Sequence, residues 1–336
     1  MIENVVAGPS GRRPRPARRG PVAPRGLVVL LALGPGCAAR GAGDSAEAPS
    51  VAEAVSLTGD TLFRPALSPA TRARFDSALD AARRAYQRAP RDLDSIVWLG
   101  RRTAYLGRYR EAIGIYTHGL EAHPDEPRLF RHRGHRYLST RQLDQAIADF
   151  TRAAELTRGT PDRVEEDGLP NARGVPTSTL QSNIWYHLGL AHYVKGDFAA
   201  ARDAYEQGLR ASTNPDMVTA MSYWLYLTER RLGDDRAAAA TLVAVRPDFD
   251  IIENGSYHRL MMLYQGRIAI DSLLPASDSL SLDDVTTGYG VGVWHLLGGR
   301  LADADRLFRR IIAARDQWPA FGYLAAEAEL ARQRSR

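Results

Sequence analysis

The chain has 336 residues, of which 44 are basic and 39 acidic, for a formal net charge of +5. The first 37 residues hold six arginines and one acid, which accounts for the whole excess, and the remaining 38 basic and 38 acidic residues cancel. A neutral body lacks the electrostatic footprint that a phosphate backbone requires, so nucleic acid is excluded as a partner, and a single cysteine excludes a disulfide framework.

Residues 1–37 are patterned as an export signal. Arg12, Arg13, Arg15, Arg18, Arg19 and Arg25 precede the apolar run from Leu27 to Leu33, and small residues follow up to Cys37. Seven apolar residues are too few to span a bilayer and suit the hydrophobic region of a signal peptide. Cys37, preceded by Gly34, Pro35 and Gly36, resembles the lipobox of bacterial lipoproteins, whose cysteine becomes the lipidated first residue; Gly34 stands where that family prefers Leu, and Pro35 departs from it. The resemblance implies an outer-membrane lipoprotein facing the periplasm, because Ala38 stands where a retention signal carries Asp. Cleavage after Ala39 or Gly41, giving a soluble secreted or periplasmic protein, is the alternative. Residues 38–68, which open on Ala, Gly, Ser, Pro and acids, are expected to form a flexible tether.

From residue 69 a motif returns at intervals near 34 residues. A half repeat over 69–92 carries Phe75, Ala78, Ala85 and Pro90. Residues 93–126 hold Leu99, Gly100, Gly107, Tyr109, Ala112, Tyr116 and Pro124, and residues 127–160 answer with Gly134, Tyr137, Ala146, Phe150 and Ala153. The polar, breaker-rich stretch 161–181 reads as an inserted loop, a tolerated surface insertion, with a loop that folds over the groove or contacts a partner as the alternative. The clearest copy, 182–218, has Trp185, Leu188, Gly189, Gly196, Phe198, Ala201 and Tyr205. Fainter copies follow at 219–252 (Tyr226, Gly233, Ala238, Leu242) and, degenerate, at 253–284, before Gly292, Gly299, Leu301, Ala304 and Phe308 mark 285–318. Residues 319–335 are expected to form a capping helix.

These residues and this spacing resemble the tetratricopeptide repeat, a helix–turn–helix unit in which Gly and Ala sit where helix axes cross and aromatics fill the space beside them. The resemblance covers roughly residues 70–335 and implies an all-α fold, a right-handed superhelical solenoid. It also implies a non-enzymatic adaptor that holds a partner peptide or helix in its concave groove. The groove positions in the repeat register include Arg101, Arg128, Arg131, His135, Asn183 and Tyr186, and their guanidinium groups suit capture of an acidic or C-terminal carboxylate. Contact with a membrane is expected only through lipid on Cys37.

The residues that suggest chemistry are few. No zinc-protease, nucleophile-elbow or P-loop motif occurs. Gly288, Gly290 and Gly292 enter a repeat helix, where close packing explains them better than a dinucleotide. His132 and His135 lie three apart on a helix but lack a third ligand nearby, His187 and His192 fit one face less well, and Glu165, Glu166 and Asp167 read as a solvated loop; no metal and no cofactor is expected. The alternative function is a small-molecule carrier or enzyme, with Tyr257, His258, Tyr264, Tyr289, Trp294 and His295 lining an aromatic pocket in the C-terminal repeats.

Overall fold

The computed structural model describes residues 51–273 and 279–334; the leader, Cys37 and most of the expected tether lie outside the described residues. What is described is an all-α solenoid preceded by a β-hairpin. Helix α1 (Pro69–Arg88) is followed by the helix pairs α2 (Leu93–Tyr105) with α3 (Tyr109–Ala122) and α4 (Pro127–Ser139) with α5 (Leu143–Thr157). After a loop come α6 (Leu180–Lys195) with α7 (Phe198–Ala211), α8 (Pro215–Leu232) with α9 (Asp235–Ala244), the short α10 (Gly255–Tyr264), α11 (Leu282–Leu297) with α12 (Leu301–Ala313), and α13 (Phe321–Arg334).

Local signals start and stop these helices. Ser68, Asp92, Asp197, Asn214 and Asp234 each accept a backbone N–H from the first turn they cap, and Thr179 with Ser182 and Ser281 with Asp284 form reciprocal capping boxes. Inside a pair, an aromatic residue on the second helix lies against a glycine on the first. Tyr116 lies on Gly100, Phe150 on Gly134, Tyr205 on Gly189 and Phe308 on Gly292. A Cβ on Gly189 would stand 2.6 Å from the Tyr205 ring, which is why the position excludes a side chain.

The two helices of a pair differ in burial. The second helices are amphipathic: α12 buries only Ala304, Phe308 and Ile311 along one stripe. The first helices are covered on nearly all sides, α6 and α8 most completely. Their inner faces meet across the solenoid. Tyr289 of α11 donates to Tyr193 of α6 at 3.0 Å, and the Tyr186 and Tyr257 hydroxyls are 2.9 Å apart. The interior is therefore packed with aromatic side chains and does not form an open trough.

Two further elements close it. Helix α13 packs on α11 and α12 and also reaches α6. Phe321 lies against His135, Tyr186 and His187, and Glu327, fully buried, receives Arg141 Nη2 at 2.8 Å and Nε at 3.0 Å. Glu329 receives Arg231 at 2.9 Å and Arg332 at 2.7 Å. The hairpin β1 (Ala52–Val55) and β2 (Thr61–Phe63) occupies part of the segment expected to be tether. Its turn residue Gly59 has φ +96°, a conformation glycine adopts without cost. Buried Glu53 accepts from Arg64 and from the Arg110 amide, the Leu57 amide donates to Glu327, and Trp318 Nε1 donates to the Phe63 carbonyl at 2.6 Å. The hairpin thus bonds to both the first full repeat and the C-terminal helix.

Arg141 has a special place in this arrangement. Gly107, Gly196, Gly233, Gly266 and Gly299 take positive φ in the turn between paired helices or just past a helix end, and at the corresponding turn after α4 the residue is Arg141, at φ +65°. A left-handed arginine costs roughly 1–2 kcal/mol. Breaking a buried ion pair from one side costs roughly 3–5 kcal/mol, because it strands a charge. The second effect is larger, so Arg141→Gly is expected to destabilise the protein by roughly 1–4 kcal/mol despite the relaxed backbone. Adding Glu327→Gln to that variant is expected to restore part of the loss. Urea unfolding of the three proteins measures both, and equal stability of Arg141→Gly and wild type would refute the ranking.

Candidate functional site

The insertion after α5 folds over the inner helices, meeting side chains of α2, α4 and α6. An antiparallel bridge between Val164 and Thr179 ties its base. On one side, Arg101 Nη1 donates to the Glu166 carbonyl and Arg102 Nη1 to the Gly168 carbonyl, both at 2.8 Å. On the other, Glu253 accepts from Asn171 at 2.8 Å and Thr177 at 2.6 Å, while Arg173 forks onto Asp250. Asp216, receiving three backbone N–H groups from Ile252, Glu253 and Asn254, holds that anchor in place.

At the centre sits the Glu165 carboxylate. It lies 3.2 Å from Arg131 Nε and 3.4 Å from His132 Nε2, and accepts Asn183 Nδ2 at 2.9 Å. Beside it is a cavity of about 270 Å³, whose wall includes Trp98, Arg101, Arg128, His132 and Glu166. The Arg101 guanidinium lies over the Trp98 ring at 4.5 Å, and Arg128 pairs with Asp94 at 2.5 Å.

Four of the six groove residues named from the register, Arg101, Arg128, Arg131 and Asn183, converge on this one place. The other two do not. His135 lies deeper, with its ring 4.4 Å from His187 and 5.6 Å from Phe321. Tyr186 is in the aromatic interior, where it accepts Trp224 Nε1 at 3.0 Å. Arg101, Arg131, His135, Asn183 and Tyr186 are all buried by the chain's own loop, α13 and neighbouring helices, and only Arg128 keeps appreciable exposure. The register identifies the inner face but carries no information on what covers it. The residues that cover it, Glu165, Glu327 and Glu329, were not singled out as ligands. The one sequence signal for them is an arginine in the turn after α4, where the matching turns carry glycine.

Of the aromatic residues of the alternative reading, Tyr257, Tyr264 and Tyr289 meet in the packed interior around Tyr223 and Trp224, whereas Trp294 and His295 meet edge to face elsewhere. Tyr257 and Tyr289 bond to Tyr186 and Tyr193, Tyr264 donates to the Gly290 carbonyl, and half-buried His258 meets the Arg246 carbonyl. Trp294 is covered by Arg300 at 4.2 Å, and the same arginine donates to His295. Among the described residues, no group of three or more His, Cys, Asp or Glu side chains is placed to hold a metal, and no helix is long and apolar enough to cross a membrane.

Residues 182–214, spanning α6 and α7, match the tetratricopeptide repeat family. The chain is 28% identical over 131 residues to the heat-shock protein cognate co-chaperone sgt12 of Aspergillus fumigatus, a match that takes in 39% of this chain and 32% of that protein's length, so the chain spans about a third of the relative. Among solved structures, YrrB, titled a TPR protein with an unusual peptide-binding site, matches at a TM-score of 0.41 and 13% identity over 75% of this chain and all of its own. A tetratricopeptide repeat protein from Parabacteroides merdae matches at 0.45 and 14% identity over 76% of this chain and 94% of its own. The chain is an all-α solenoid of tetratricopeptide type.

Three imidazoles give the site a pH dependence. Burial holds His132, His135 and His187 neutral, well below the ordinary histidine pKa, and Arg131 and Arg136 nearby add to the effect. The unfolded chain takes up protons on all three near pH ~6.5 and the folded chain does not, so stability falls as pH drops below that value, by roughly 1–1.5 kcal/mol per imidazole per pH unit. Asp167 works in the opposite sense. Burial and the charge of Glu253 push its pKa up to about 6, so its ionisation weakens the fold as pH rises towards that value. Asp149, also raised by burial, has the same sign. Three groups outweigh these two, and stability is expected to drop by roughly 2–3 kcal/mol between pH ~6.5 and ~5.5. Urea unfolding at those two pH values checks this, and a flat or rising profile towards acid would contradict it.

Proposed function

We propose that the protein is a non-enzymatic adaptor of the bacterial envelope, anchored by lipid on Cys37, that takes an acidic segment of a partner protein against the inner face at Arg101, Arg128, Arg131 and Asn183. The observation that carries this reading is that a carboxylate, that of Glu165 on the inserted loop, already sits beside Arg131 and His132 and accepts Asn183 Nδ2. A partner carboxylate in the same place would exchange one charge-assisted contact for another, so the exchange need not strand a buried charge. Arg128 and the Trp98–Arg101 stack, at the cavity wall, would meet the flanking residues. The repeat architecture, a framework for holding partners, supports the same reading.

Tagged full-length protein recovered from cross-linked cells tests the proposal. Glu165→Gln weakens the loop's hold and is expected to raise recovery of one envelope protein by roughly threefold or more, whereas Arg128→Glu is expected to lower it by a similar factor. Recovery unmoved by both changes would remove the inner face from consideration. Separately, Cys37→Ser is expected to abolish incorporation of labelled palmitate and shift the protein from the membrane to the soluble fraction; unchanged fractionation would sink the anchor.

A further inference from the structure

The inner face is filled, but the outer face carries a cleft of about 440 Å³ that the adaptor reading does not use. It opens between the C-terminal turns of α5 and α7, the outer helices of adjacent pairs, and residues of α6 line it between them. Thr157 and Arg158 form one wall, Gln207 and Arg210 the other, and Gln181 and Trp185 lie between. Trp185 is half-buried, and its Cβ lies beside Gly208.

Most arginines nearby have a carboxylate: Arg133 holds Asp149, Arg152 holds Asp125 and Glu155, and Arg163 holds Glu126. Arg158 and Arg210 are exposed, and among the described residues neither meets a carboxylate; Arg210 Nε donates only to Gln207 at 3.3 Å. No acid lines the cleft. Two cations on opposite walls of an aromatic cleft, with amide side chains between them, form a surface that lacks its counter-charge.

We infer that this cleft is a second docking site, separate from the inner face, for an acidic segment of another protein that places an apolar side chain on Trp185 and a carboxylate at each of Arg158 and Arg210. Charge complementarity selects the acid, because bidentate arginine pairs favour carboxylates. The neutral body selects a protein segment over nucleic acid, since a polyphosphate needs an extended basic track and two arginines do not make one. Both arginines also stand at helix C-terminal ends, where they complement the helix dipole. If that were their only role, reversing their charge would lower the melting temperature and move no binding signal.

The test is fluorescence anisotropy on the purified full-length chain, with a fluorescein-labelled peptide of six glutamates around a central leucine. Saturable binding is expected, weakened roughly tenfold by Arg158→Glu with Arg210→Glu and unchanged by Arg246→Glu, the same charge reversal at an exposed arginine after α9 that lies outside both sites. Circular dichroism melts confirm that each variant is folded. Loss of binding with Arg128→Glu alone would assign the peptide to the inner face and overturn the inference while leaving the adaptor reading intact. Absence of saturable binding, or equal binding by all variants, would overturn it as well, and so would equally tight, double-variant-sensitive binding of a six-nucleotide oligothymidylate, which would make the cleft a general anion site.

Discussion

Buried arginines reaching across the solenoid to carboxylates far away in sequence organise this structure. Arg131 meets Glu165, Arg141 meets Glu327 and Arg231 meets Glu329, and each pair joins an inner helix, or the turn after one, to a segment that is not its repeat neighbour. A stack of helix pairs needs only neighbour contacts to form, so its inner surface is left to be completed by something else. Here the chain itself completes it. Buried ion pairs add little net stability compared with apolar packing, but they penalise any arrangement that leaves one charge alone. Their effect is to specify how α13 and the inserted loop are seated, while Phe321, Leu324 and the tyrosine cluster supply the apolar burial.

The hairpin follows from the same constraint. Glu53 would be an isolated buried charge without Arg64 and the Arg110 amide, and Glu327 receives the Leu57 amide as well as Arg141. One carboxylate therefore sees the hairpin, the turn after α4 and the C-terminal helix together. This coupling explains why a turn position that elsewhere carries glycine tolerates a strained arginine: the side chain it supplies cannot be reached from a glycine.

The parts of this architecture that were legible in the sequence are those set by short-range rules. Gly100 and Tyr116, Gly189 and Tyr205, and Gly292 and Phe308 are each 16 residues apart, and each pair meets within one helix–turn–helix unit. The hairpin was not legible, because its strands are only four and three residues long and its stability comes from contacts such as Glu53 with Arg110, 57 residues on. At the site, the register identified the inward-facing side chains, and four of them do converge. It carried no information about curvature, so the covering of that face by α13 and by residues 161–181 had no local signature beyond Arg141.

The filled interior changes what an adaptor of this kind can do. An open concave groove offers its whole inner surface at no conformational cost. Here the aromatic network from Tyr186 through Trp224 to Tyr289 is continuous with the core, and opening it would expose buried tyrosines and two paired acids of α13. The inserted loop is held differently, by hydrogen bonds and ion pairs at its rim and with little apolar burial of its own. Such contacts exchange readily for equivalent ones from a partner, whereas a packed helix does not. If the inner face engages a partner at all, the loop over Glu165 is therefore the element that yields, and α13 stays in place as part of the framework on which the site is built.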